Sequence, residues 1–118
     1  MIALIIDDEI DICYLLTEIL RKNNIQAYFV NTLVEADLVL KKQHPEFIFL
    51  DNHLPDGKGI DFVQQIRKKH PEAKVILITA YDTATDRVRA ALEGVDFFIA
   101  KPFTRDTINH AVELFAKN

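Results

Sequence analysis

The 118 residues carry 14 lysines and arginines against 18 aspartates and glutamates, a formal charge of −4, with 49% hydrophobic and 27% charged residues. A chain of this size reads as one domain, spanning 1–118, with a core that needs no staple, and the composition excludes disorder, low complexity and a basic nucleic-acid stripe. The single cysteine, Cys13, excludes an internal disulfide, and the sequence reads as having neither a signal peptide nor an apolar run of about 18 residues. The expected compartment is therefore the cytoplasm, with no membrane partner and no direct nucleic-acid binding.

Five short runs rich in Ile, Val and Phe are predicted strands, near 2–6, 27–30, 47–50, 75–78 and 97–100. Between the first two, Ile12, Cys13, Leu16, Ile19 and Leu20 recur at three and four, so Asp11 to Asn23 is predicted to be a helix with one buried face. Asn31 or Thr32 can cap a second helix carrying Leu33, Ala36, Val39 and Leu40, expected to stop at His44-Pro45. A third is expected from about Gly59 to His70-Pro71, a fourth over Thr83 to Glu93, and a fifth over Arg105 to Ala116. Both histidines suit a helix carboxyl end, and local capping is their simplest role.

Strand and helix thus alternate five times. Strands joined by helices are parallel with right-handed crossovers, which predicts an α/β doubly wound three-layer sandwich, and the strands are placed in the flavodoxin-like (βα)5 order 2-1-3-4-5. In that order the carboxyl ends of the strands share one edge. Asp7 and Asp8 follow the first strand, Asp51 the third, Thr79 the fourth and Lys101 the fifth. Three clustered carboxylates repel one another unless a proton or a cation neutralises them. Hard oxygens with room for water suit Mg²⁺, and a carboxylate beside it can act as the nucleophile of phosphoryl transfer, with Asp51 the central candidate. Lys101 would balance a phosphoryl oxygen and Thr79 would donate a hydrogen bond. Three carboxylates against one Mg²⁺ and one lysine sum to zero.

The ordered set Ile5-Ile6-Asp7-Asp8-Glu9, Phe49-Leu50-Asp51 with Pro55 and Gly59, Thr79-Ala80-Tyr81 and Ala100-Lys101-Pro102-Phe103 resembles the receiver domain of two-component response regulators, CheY-like proteins, over the whole length. The resemblance implies that Asp51 accepts a phosphoryl group from a sensor histidine kinase or a histidine phosphotransfer protein. It implies that Asp7, Asp8, Asp51 and the backbone carbonyl of His53 hold Mg²⁺, that Thr79 and Lys101 contact the phosphoryl oxygens, and that Thr79 and Phe98 form the switch. It also implies a cis Lys101-Pro102 bond, and an output face built from helix four, strand five and helix five, through which a homodimer, an output domain or a partner protein would be engaged.

His53 and Tyr81, two residues beyond Asp51 and Thr79, are expected to modulate the site. Two bulky rings there would impede the attacking water and slow self-dephosphorylation. Taken singly, the same residues have plain readings: Asp8 or Glu9 as a helix cap, Thr79 as a strand residue, Lys101 as a surface charge, Cys13 as a buried inert thiol, His53 as a loop side chain. Only the set points to a switch rather than an enzyme acting on external substrates. Two alternatives are a haloacid-dehalogenase-like phosphatase, whose second aspartate would stand where this chain has His53, and a receiver-like binding module that works without phosphorylation.

Overall fold

The computed structural model describes residues 1–116. Its elements run β1 (Ile2–Ile6), α1 (Ile10–Lys22), β2 (Gln26–Val30), α2 (Leu33–Leu40), β3 (Phe47–Asp51), β4 (His53–Leu54), β5 (Gly57–Lys58), α3 (Gly59–Lys69), β6 (Lys74–Thr79), α4 (Ala84–Glu93), β7 (Phe97–Ala100) and α5 (Arg105–Ala116). Five parallel strands form one sheet in the order β2-β1-β3-β6-β7. Counting only those five, this is the expected flavodoxin-like order 2-1-3-4-5.

Side chains alternate across a strand, so each run of β-branched and aromatic residues feeds two cores. Ala3, Ile5, Phe47, Phe49, Ile76 and Ile78 pack under α1 and α5 with Leu16, Leu20 and Ile108. Leu4, Ile6, Ile48, Leu50, Val75 and Leu77 pack under α2, α3 and α4 with Leu40, Val63 and Ala90. The central strand β3 is buried along its whole length, which makes Asp51 a carboxylate at the end of a dry strand.

Local chemistry sets the helix starts. Thr32 caps α2 by accepting from Glu35 N at 3.1 Å, and Thr83 caps α4 by accepting from Asp86 N at 3.1 Å. Gly94, at φ +92°, closes α4 in the left-handed region that glycine adopts at least cost. Gly59 is required by close approach: a Cβ there would meet Leu50 Cγ at 2.8 Å and collide with the Asp51 carbonyl.

One expectation is corrected, and one element is added. The second helix stops at Leu40, four residues short of His44-Pro45. Pro45 disfavours the helical conformation at His44, and His70 Nε2 lies 2.8 Å from the Leu40 carbonyl that a further turn would use. His70 thus caps the end of α2 from another element, while its backbone N–H closes its own helix on Ile66 O at 2.7 Å. The hairpin β4–β5 was not foreseen. Pro55-Asp56-Gly57 is a turn signature, and Gly57 takes φ +151° there. The Asp56 carboxylate then accepts from Leu33 N at 2.9 Å and Val34 N at 3.0 Å, tying the loop after β3 to the start of α2.

Candidate functional site

Register carries the predicted residues to one edge. Ile6 pairs with Leu50, Asp51 with Ile78, and Thr79 with Ala100, so the residues at the ends of β1, β3, β6 and β7 face a common cleft. One carboxylate oxygen from each of Asp7, Asp8 and Asp51 lies within 4.8 Å of the others. Asp7 and Asp51 are almost fully buried, at 1% and 4% exposure, and Asp8 is exposed.

Lys101 enters from the loop after β7, where its peptide bond to Pro102 is cis. Its Nζ lies 3.1 Å from Asp7 Oδ2, 3.2 Å from Glu9 Oε1 and 3.6 Å from Asp51 Oδ1. One ammonium therefore balances three carboxylates, with Asp8 a fourth acid nearby. Charge balance is incomplete, and the acids respond. Burial, then the neighbouring Asp7 charge, pushes the Asp51 carboxyl up to about 7, against the opposing pull of Lys101 and of the His53 N–H. Burial also raises Asp7, although Glu9 N–H, at 2.9 Å from Oδ1, and Lys101 oppose it. For Lys101 the order is reversed: burial alone would lower its pKa, and Asp51 and Asp7 outweigh that and raise it.

Asp7 Oδ2 has no aligned hydrogen bond, in spite of the nearby ammonium. Three hard oxygens, two of them desolvated and one without an aligned donor, fit a divalent cation better than they fit one another.

Thr79 is fully buried, and its hydroxyl accepts from Tyr81 N at 3.1 Å. His53 and Tyr81 meet at the rim, ring centres 4.7 Å apart and tilted by 60°, bridging the loops after β3 and β6. Phe98 packs against the core under α2 to α4, and the Arg87 guanidinium lies 4.5 Å above its ring while pairing with Asp82 Oδ1 at 2.5 Å. The structure thus gathers Asp7, Asp8, Asp51 and Lys101, places Thr79 at the adjoining strand end, and sets His53 and Tyr81 at the rim. Phe98 sits on the flank, away from the carboxylates. Sequence reasoning passed over Glu9, which shares Lys101, and Arg87, which covers Phe98; the first follows a conspicuous acidic run, and the second has no sequence signal. Cys13 is buried, its thiol pushed up to about 12 by burial and then by Asp7, as an inert core thiol should be.

A parallel five-stranded sheet thus carries a carboxylate cluster and a lysine at its carboxyl edge, where open α/β sheets bind ligands. The family model for the response regulator receiver domain matches residues 3–113, and the chain belongs to that family. It is 36% identical over 100 residues to the response regulator protein PilR of Pseudomonas aeruginosa, a match covering 85% of this chain and 22% of PilR. It is 34% identical over 122 residues to the transcriptional regulatory protein CitB of Klebsiella pneumoniae, covering 98% of this chain and 50% of CitB. The chain thus spans half or less of these two relatives.

Among solved structures, a response regulator from Burkholderia pseudomallei with a phosphorylated aspartic acid, calcium ion and citrate superposes with TM-score 0.86 at 25% identity, over 98% of this chain and 71% of that one. A two-component response regulator from Clostridium difficile shares the fold at TM-score 0.95 and 23% identity, over 100% of this chain and 97% of that one.

Proposed function

We infer that this chain, 1–118, is a single receiver domain in which Asp51 accepts a phosphoryl group from a phosphohistidine of a sensor kinase or phosphotransfer protein. The observation that carries the reading is Asp51 itself, a desolvated carboxylate at a strand end, with two further carboxylates within 4.8 Å and a lysine at 3.6 Å. Asp7, Asp8, Asp51 and the His53 carbonyl would hold Mg²⁺, which supplies charge neutralisation and orients phosphoryl oxygens. The donor chemistry supports a hard divalent cation, and the Burkholderia relative carries calcium.

In the transfer, an Asp51 oxygen forms the new P–O bond as the P–N bond to the donor imidazole breaks, and the imidazole leaves with its electron pair. The aspartate must be ionised to attack, so lowering its raised pKa is part of preparing the site. Lys101 then turns from Asp7 and Glu9 to a phosphoryl oxygen. Thr79 turns its hydroxyl proton from the Tyr81 carbonyl, 3.5 Å away, and donates it to another phosphoryl oxygen. Those contacts exist only in the phosphorylated state, so they shift the population toward it. Phe98 is the switch aromatic: it moves into the space Thr79 vacates and leaves Arg87, which alters the face formed by α4, β7 and α5. That face would engage an output domain, a partner protein or a second copy of the chain.

The domain is a signalling switch rather than an enzyme turning over external substrates. Among the described residues no helix is long and apolar enough to cross a membrane, in keeping with a cytoplasmic role. The test is intact mass after incubation with acetyl phosphate and Mg²⁺. One phosphoryl group gained, dependent on Mg²⁺ and absent in Asp51→Asn, is the expected result. No adduct and no phosphate release would leave a phosphorylation-independent binding module, and rapid release without an adduct would make it a phosphatase.

A further inference from the structure

The tripeptide His-Pro-Glu occurs twice, at 44–46 and 70–72, each time just ahead of a strand. Those strands are neighbours: Phe47 of β3 pairs with Lys74 of β6. Both tripeptides therefore reach the amino-terminal edge of the sheet, the end opposite Asp51. There the His44 and His70 rings lie with centres 5.2 Å apart and planes tilted by 51°. With Glu46, Lys69 and Glu72 they line a cavity of about 290 Å³.

His70 is held as a ligand needs to be. It is 6% exposed, and Nε2 lies 2.8 Å from the Leu40 carbonyl. A carbonyl only accepts, so Nε2 carries a proton, and Nδ1 is the ring nitrogen left to offer a lone pair to a metal. Nδ1 has no hydrogen-bond partner among the described residues, and it is not one of the buried side-chain atoms without a partner, which are Asp7 Oδ2 and Tyr28 Oη. It therefore reaches solvent, on a residue that lines the cavity. Metal-ligating histidines are oriented in this way, one ring nitrogen donating to a carbonyl and the other free. Two imidazoles that share an ion at about 2.0–2.1 Å and a tetrahedral angle bring their ring centres to roughly 5 Å, the spacing seen here. His44 is exposed and free to rotate.

We propose that His44 and His70 form a second cation site, for a borderline divalent transition metal such as Zn²⁺, with water or the flanking Glu46 and Glu72 carboxylates completing its coordination. Glu46 already accepts from Ile2 N through Oε1, which leaves its other oxygen available. The two ends of the sheet then sort cations by softness: oxygens alone at Asp7, Asp8 and Asp51, imidazole nitrogens at the opposite edge. The three acids are the one described group of three ligating side chains within 4.8 Å of one another. With two protein nitrogens in place and no third ligand as close, affinity falls below that of a closed four-ligand site. A bound ion would tie together the segments that lead into β3 and β6.

The test is a calorimetric titration of the full chain with Zn²⁺ at neutral pH in excess Mg²⁺, alongside His44→Ala and Asp51→Asn. His44 lies outside every helix and strand, so its truncation leaves the fold intact. The expected result is one Zn²⁺ bound by the parent chain and by Asp51→Asn, weakened at least about tenfold in His44→Ala, with the His70 Nδ1 resonance shifting during the titration. Binding that survives His44→Ala, binding that is lost in Asp51→Asn, an unmoved His70 Nδ1, or no saturation at millimolar Zn²⁺ would each overturn the proposal.

Discussion

Replacing Asp51 with asparagine should stabilise the metal-free protein at neutral and alkaline pH. Burial, and then the facing Asp7 charge, push the carboxyl up to about 7 in the fold, from an ordinary value of about 3.8 in the unfolded chain. The folded state thus holds its proton more tightly than the unfolded chain does. Its contribution is complete below about pH 3.8 and is lost as the pH rises toward 7. The full difference corresponds to about 4 kcal/mol, and because Asp7 shares the titration, roughly 2–4 kcal/mol should appear in the variant. For a domain of this size that is roughly 5–15 °C in melting temperature. The assay is thermal unfolding by circular dichroism from pH 4 to pH 8 in chelator, for both proteins. The stability gap between Asp51→Asn and the parent should widen with pH and level off above about 7. Adding Mg²⁺ should narrow it, because an ion that binds only the folded parent restores stability by mass action. A gap independent of pH, or one that shrinks as pH rises, would refute the reasoning.

Three substitutions test other links. His53→Asn together with Tyr81→Glu opens the rim where the two rings meet, and should speed loss of the phosphoryl group about tenfold, some 1.4 kcal/mol of barrier; phosphate release at least as slow as in the parent would contradict this. Gly59→Ala drives a Cβ into the Asp51 carbonyl and Leu50, and should cost about 3 kcal/mol or more, or prevent folding, as read from urea unfolding.

The fold was legible because its signals are local and periodic. Runs such as Val75 to Ile78 are too short for helices and too apolar for loops, and the segments between them carry apolar residues at helical spacing. The site was legible for the same reason, since parallel topology sends every strand end to one edge, and Asp51, Thr79 and Lys101 needed only their places after the strands. What escaped depends on contacts across the chain. The Leu40 carbonyl at the end of α2 is met by His70, thirty positions away in sequence. Arg87, which reads as a solvated helix charge, lies over Phe98 because α4 packs beside β7. Glu9 reads as a helix cap, and only the lysine that returns from the far end of the chain gives it a second role. The β4–β5 hairpin was written locally, in Pro55-Asp56-Gly57, and was missed because two-residue strands leave no periodicity to count.

The most direct test of the central claim is to locate the phosphoryl group. After reaction with acetyl phosphate and Mg²⁺, borohydride reduction converts an acyl phosphate to the corresponding alcohol, and peptide mapping reads the residue changed. Homoserine at position 51, and at no other aspartate, is the predicted result. Reduction at Asp7 or Asp8, or an unmodified Asp51 in protein that has gained a phosphoryl group, would contradict the account.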